Sequence, residues 1–265
     1  HIMKSKNLSI IIVNYNGEIF LKDCIDSIYI NCISQDFEII IVDNNSSDNS
    51  ISIIKEFYPN CILIESKENL GFAKGNNLGV KNCIGKYVLL LNNDTILIND
   101  ITDSISILEE DKEIGLLGIK MLDKDLNYEK SAGKFPKLLS LLFFSELFIN
   151  TKNFLSGDFS KELIEVDWIQ GSFLLTRKSL YSKVKGLDED YFMYVEDVDF
   201  CKKIAKLDKK RVYYSKQSYV HFGGFNSSRK HLLIDGYTMY VEKHFIKYKL
   251  IAFFLLKVKR LLIKK

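Results

Sequence analysis

Three short apolar runs in the first hundred residues, LSIIIV at 8–13, FEIIIV at 37–42 and YVLLL at 87–91, each break off into a polar cluster. The clusters are Asn14, Tyr15 and Asn16, then Asp43, Asn44 and Asn45, then Asn92, Asn93 and Asp94. A strand with one wet face alternates apolar and polar residues, so short β-branched runs without alternation read as strands covered on both faces. The intervening segments are long enough for crossover helices, and the spacing predicts a parallel α/β sheet. In such sheets ligands bind beyond the carboxyl ends of the strands. Three polar clusters brought there by separate stretches of chain predict one shared crevice, and with it an enzyme.

Helical periodicity predicts helices over 19–30, 49–57, 72–82 and 98–108, and a strand over 114–119. Residues 121–166 read as irregular. Within them 138–149 is strongly apolar but falls short of the roughly 20 residues that span a bilayer, so it reads as a core or lid helix. Beyond Trp168 the pattern predicts a strand over 172–176, a turn at Gly186, a helix opening near Val195 and a strand over 212–214. From Lys243 onward lysines alternate with leucine, isoleucine and phenylalanine, which predicts a basic amphipathic helix suited to an anionic membrane surface. The expected organisation is one domain over 4–240, with halves of about 4–120 and 121–240, and a tail over 241–265.

At 265 residues and 47% hydrophobic content the chain can bury one large core. With 37 basic residues against 34 acidic ones, its charge is too balanced for a nucleic-acid surface. The five cysteines are scattered, with no C-x-x-C pair, and read as reduced, mostly buried thiols. His1 and Ile2 read as a cloning remnant, and no signal peptide follows Met3. The expected placement is cytoplasmic, peripheral on the inner face of the cell membrane.

Several residues carry candidate chemistry. Asp94, after Asn92 and Asn93, offers hard oxygen ligands of the kind that hold Mg²⁺ or Mn²⁺ together with phosphate oxygens, or else a polar turn capping the next helix. Asp43 is either an acceptor for a base imide or ribose hydroxyl or the anchor of an Asx turn. Glycines at 71, 75 and 79 mark a close backbone approach by ligand or sheet and turn Asn76 toward the crevice. No G-x-G-x-x-G loop is present, which disfavours a nicotinamide enzyme. On a helix opening near Val195, Asp197 shares the apolar stripe with Phe200, Cys201 and Ile204, while Glu196 and Asp199 fall on an edge expected to be more exposed. A carboxylate on such a stripe is costly unless it opens into a polar pocket, so Asp197 is a general-base candidate. His221 is a structural histidine or a ligand, and Trp168 a buried ring or a sugar-stacking one.

As an ordered series, 13–16, 42–48, 69–79, 91–94, Gly171 with Ser172, and 186–199 resemble the family 2 glycosyltransferases of the GT-A fold, in particular their bacterial rhamnosyltransferase-like branch. The resemblance spans about residues 8–228. It implies a single Rossmann-like domain with a mostly parallel central sheet flanked by helices. It also implies inverting transfer of a sugar, such as rhamnose, from a dTDP-, UDP- or GDP-linked donor to a saccharide or lipid-linked saccharide in cell-surface polysaccharide synthesis. By it, Val13, Tyr15, Asp43, Asn69, Gly71, Asn76 and Asn93 hold the nucleotide. Asp94 and His221 hold Mg²⁺ or Mn²⁺, Asp197 is the base, and Trp168, Gly171 and Glu196 face the acceptor. Many members carry two or three acids where this chain has Asn92, Asn93 and Asp94, and fewer charges predict weaker, more substrate-dependent metal binding. Two alternatives stand beside this: a sugar nucleotidyltransferase, which would want a basic glycine-rich loop that is absent at 14–17, and a catalytically silent membrane-docking module.

Overall fold

A computed structural model describes residues 7–223 and 230–263. Its first half runs β1 (Leu8–Asn14), α1 (Glu18–Asn31), β2 (Phe37–Asp43), α2 (Ser50–Phe57), β3 (Ile62–Glu65), α3 (Gly71–Lys81), β4 (Tyr87–Asn92), β5 (Thr95–Leu97), α4 (Thr102–Glu110) and β6 (Ile114–Leu122). Shorter pieces follow: β7 (Tyr128–Glu129), β8 (Ala132–Gly133), 3₁₀ turns at Leu139–Leu141 and Phe144–Leu147, α5 (Lys152–Ser156), β9 (Leu163–Val166) and β10 (Trp168–Ile169). The chain closes with β11 (Phe173–Arg177), α6 (Lys178–Lys183), α7 (Glu196–Ala205), β12 (Lys210–His221), α8 (Lys230–His244) and α9 (Lys249–Ile263).

The central sheet has the strand order β3-β2-β1-β4-β11-β6-β12-β5. β1 pairs in parallel with β2 and β4, β2 with β3, and β6 with β12. β11 lies antiparallel between β4 and β6, and β5 is antiparallel on β12, so the sheet is mixed and mostly parallel. The unbroken apolar strands follow from helices on both faces. Ile10 and Ile12 pack with Leu21, Ile25 and Leu108 on one side, while Ile11 packs with Leu90, Phe200 and Ile204 on the other.

The strands and helices expected over the first hundred residues are present, with β3 and β5 as short additions. α4 starts at Thr102 rather than 98, because residues 95–97 are drawn into the sheet against β12 and Asp100 then receives the Thr102 N–H at 2.8 Å. The apolar stretch 138–149 is not a helix. It breaks at Phe143, and its side chains split between buried positions (Leu141, Leu147, Ile149) and exposed ones (Leu139, Phe143), so no single stripe exists to stabilise one. The C-terminal region is helical but divided. α8 ends at His244, Tyr248 adopts φ +60°, and α9 then folds back to bury Ala252 and Leu256. Among the described residues no helix is long and apolar enough to cross a membrane. All five cysteines are free, and burial pushes the Cys24 thiol up to about 12, leaving it inert.

Candidate functional site

Parallel pairing in register is what gathers the polar clusters. Asn14 sits opposite Asp43 across β1 and β2, and Val13 opposite Asn92 across β1 and β4. The buried Asn14 carboxamide joins all three strand ends: its Nδ2 donates to Asp43 Oδ1 at 2.8 Å, and its Oδ1 accepts from Asn93 Nδ2 at 2.7 Å. Asp43 is itself fully buried and also accepts the Ser46 N–H at 2.9 Å and the Ser46 hydroxyl at 2.6 Å. That is an Asx turn holding the loop that follows β2.

A cavity of about 890 Å³ opens beyond these strand ends. Val13, Tyr15, Asn69, Gly71 and Asn93 line its nucleotide side by the sequence reading; Asp94, His221, Trp168, Gly171, Glu196 and Asp197 line the rest. Asp43 and Asn76 lie behind the wall. Asn76 is buried and donates to the Phe72 carbonyl of its own helix at 3.0 Å, so both residues support the lining rather than form it. Gly71 is needed where it stands: its φ is +77°, and a Cβ would meet the Phe192 carbonyl oxygen.

Asp94 and His221 are brought together by the β5–β12 ladder, in which His221 pairs with Thr95 and the Phe222 N–H donates to the Asp94 carbonyl at 2.9 Å. His221 Nε2 lies 3.3 Å from Asp94 Oδ1 and 3.4 Å from Asn92 Nδ2, and His221 Nδ1 is buried without a partner. One carboxylate and one imidazole converge, and among the described residues no group of three His, Cys, Asp or Glu does. This donor set fits a hard divalent ion that draws its remaining ligands from diphosphate and water, the usual arrangement for Mg²⁺, rather than a closed protein cage. The glycine-rich loop noted after His221 lies outside the described residues from Gly224 to Arg229.

The helix bearing the acids begins abruptly. Tyr194 and Val195 both have positive φ, +70° and +71°, which is rare for any side chain and more so for a β-branched one. Such strain, on the order of 1–3 kcal/mol per residue, persists only where the surroundings impose it. Gly236 of α8 makes the room: a Cβ there would lie 2.7 Å from Val195 Cγ2 and 2.8 Å from the Tyr194 carbonyl oxygen. The turn delivers Asp197 to the cavity, where its carboxylate accepts the Gly171 N–H at 2.9 Å and the Val198 N–H at 2.8 Å. Burial raises its pKa, partly countered by those two donors.

Glu196 and Asp199 do not occupy a more exposed edge. They are 5% and 1% exposed, whereas Asp197 is the half-open member of the three. α8 covers that side of α7, which a helical wheel drawn on α7 alone cannot reveal. Asp199 accepts from His244 Nε2 at 2.6 Å, and His244 Nδ1 faces Lys206 Nζ at 3.3 Å. Glu196 Oε2 has no partner. Its burial, then the charges of Asp197 and Asp199, hold its carboxyl well above the usual range.

Trp168 is 5% exposed, with its indole N–H on the carbonyls of Lys134 at 3.0 Å and Leu147 at 3.2 Å. Phe144, Phe148, Leu233, Tyr237, Lys230 and Lys259 also line the cavity. Ile234, Tyr237 and Val241 repeat at helical spacing and are buried, a signal for α8 that went unread beside the more conspicuous lysines.

Residues 9–183 match the model of Glycosyl transferase family 2, and the match ends before Asp197 and His221. Among curated relatives, "Rhamnosyltransferase WbbL" of Escherichia coli K12 is 29% identical over 207 residues, 74% of this chain and 76% of the relative. The "N-acetylglucosaminyl-diphospho-decaprenol L-rhamnosyltransferase" of Mycobacterium tuberculosis is 26% identical over 212 residues, 72% of this chain and 68% of the relative. Among solved structures, GalNAc-T7 with UDP, GalNAc and Mn²⁺ superposes with a TM-score of 0.70 at 15% identity, covering 93% of this chain and 49% of that one. The mannosyltransferase PcManGT of Pyrobaculum calidifontis, in complex with GDP-Man and Mn²⁺, gives 0.64 at 16% identity, covering 94% and 69%. At such identities these structures speak to the fold alone, which is GT-A. The family match spans more than half of the chain and runs through the strand ends that line the cavity, so this protein belongs to glycosyl transferase family 2.

Proposed function

We propose that the chain is an inverting glycosyltransferase that moves a sugar, rhamnose being the first candidate, from a nucleoside diphosphate to a lipid-linked saccharide at an anionic membrane surface. The observation that carries this reading is the sharing of one cavity by Asp197, a carboxylate made more basic by burial, and the Asp94–His221 pair. The sugar and acceptor are supported by the names of the E. coli and M. tuberculosis relatives. A dTDP-, UDP- or GDP-linked donor fits the cavity's strand-end side, where Tyr15 stands half-exposed at the mouth.

In this mechanism the acceptor hydroxyl donates a hydrogen bond to Asp197. As its oxygen attacks the anomeric carbon, the proton passes to the carboxylate and the carbon–diphosphate bond breaks on the opposite face, so one displacement inverts the centre. The Gly171 and Val198 N–H groups hold the carboxylate in one orientation, which removes rotational freedom before the reaction. Glu196, kept protonated further toward neutrality, can donate to an acceptor oxygen. Asp94 and His221 would hold Mg²⁺ or Mn²⁺, which when bound offsets charge on the departing diphosphate.

The test is release of nucleoside diphosphate by purified protein offered each of the three donor classes with a polyprenyl diphosphate-linked saccharide. Activity with one donor, lost in Asp197→Asn, is expected. No release from any of them, with Mn²⁺ present, would remove the reading.

A further inference from the structure

Helix α9 packs in a way that its composition does not suggest. Its basic residues are partly spent inside the molecule: Lys249 pairs with Glu242 at 2.6 Å, Arg260 with Asp235, and Lys259 lies over the Phe144 ring at 5.0 Å. Ala252 and Leu256 form the seam against the domain. What points outward is apolar. Leu250, Ile251, Phe254, Leu261 and Leu262 are 50–83% exposed, spaced so that they share one side of the helix. No acidic residue interrupts α9, and Lys247 and Lys257, both exposed, make no ion pair among the described residues.

We infer that this face is a membrane-docking surface, and that α9 lies in the plane of an anionic bilayer with the five apolar side chains at the boundary of headgroups and acyl chains. An exposed apolar stripe bordered by lysines matches the chemistry of that boundary, apolar below and anionic above. A second copy of the chain fits it less well, since a twofold contact through this face would set lysine against lysine. The same helix also forms part of the catalytic cavity, through Lys259 beside Phe144. On that side the cavity wall sets apolar Phe144, Phe148, Leu233 and Tyr237 beside the cations Lys230 and Lys259, whereas the strand-end side is lined by Asn and Asp side chains. A bilayer against α9 therefore meets the cavity at the wall suited to an amphiphile, and the lipid-linked acceptor rests on the transferase reading given above, whereas docking does not.

The test is flotation with vesicles of phosphatidylglycerol and phosphatidylcholine, and with phosphatidylcholine alone. The parent should float with anionic vesicles and retain part of its binding in high salt. Leu250→Ser/Phe254→Ser/Leu261→Ser should lose at least about 100-fold in partitioning, since each removes apolar contact with the acyl region. Lys247→Gln/Lys257→Gln should lose about 30-fold, and on anionic vesicles only. Tryptophan emission from Phe254→Trp should shift to the blue when vesicles are added, which reports insertion in a folded single variant. Turnover on a water-soluble acceptor should stay parental in the triple variant. Parental flotation of the triple variant, a Phe254→Trp emission indifferent to vesicles, or a parent dimer that the triple variant abolishes in sedimentation would each overturn docking. A protein that floats as expected yet turns over no donor would leave docking standing and remove the transferase reading instead.

Discussion

Replacing Asp197 by Asn tests the chemistry with little change of shape. The parent carboxylate accepts two backbone N–H groups, from Gly171 and Val198. An amide can accept only one of them, leaving the other against an NH₂, at about 1–3 kcal/mol for the unsatisfied donor. Against this, the variant no longer holds a carboxylate in a site whose burial raises its pKa, a gain of the opposite sign. The two offset, so the melting temperature should stay near the parental one. Catalysis has no such compensation. The amide cannot take the acceptor proton, and kcat should fall by roughly 10²–10⁴-fold, or about 2.7–5.4 kcal/mol of transition-state stabilisation. The pH profile gives a second readout. The base must be ionised to act, and its pKa is raised, so parental kcat should climb with pH through a limb above the ordinary carboxylate range, and the variant should lack that limb. The assay is nucleoside diphosphate release with the matched donor and acceptor across that range. Near-parental kcat in Asp197→Asn, with the loss in Glu196→Gln instead, would refute the assignment.

Asp94→Ala should remove the metal-dependent increment in nucleoside diphosphate affinity by more than the roughly 10–100-fold typical of losing a partner one shell further out, and His221→Ala should remove part of it. Calorimetry with and without Mn²⁺ decides; parental metal dependence in both variants would displace the site. For Glu196→Gln the sign follows from linkage: the folded parent binds more protons than the unfolded chain between the ordinary glutamate pKa of 4.5 and its raised value, so parental stability falls as pH rises through that window. The variant lacks this slope, and its melting temperature should gain on the parent's as pH rises above 4.5; a constant gap would contradict the buried Glu196 whose pKa is raised. Gly236→Ala gains up to about 1 kcal/mol in helix propensity but drives a methyl into Val195 and the Tyr194 carbonyl, an overpacking of about 1–3 kcal/mol, so urea unfolding should show net destabilisation. A more stable variant would mean that the strained turn before α7 is not held by α8.

What could be read from the residues, and what could not, divides along a physical line. Asn14, Asp43 and Asn92 end strands whose runs are apolar at successive positions, and parallel pairing in register needs no further information to set those ends side by side. Asp94 and His221 are 127 positions apart, and only the antiparallel seat of β5 on β12 joins them; from the residues alone their pairing rested on resemblance. Asp43 shows the limit of a motif: an acid at a strand end fits a ligand or a turn equally, and it is Ser46, three residues on, that takes its carboxylate. The misjudged features share one cause. By periodicity alone Glu196 and Asp199 fall on a more exposed edge of α7, and the apolar run 138–149 reads as a helix. In each case a partner in space decides, respectively α8 over α7 and the several neighbours that divide 138–149. Periodicity establishes which residues share a side of a helix; which side is covered depends on the neighbour. That neighbour, for the acids of this site, is a helix whose buried Ile234, Tyr237 and Val241 were present in the chain all along, and whose Gly236 admits the strained turn on which Asp197 stands.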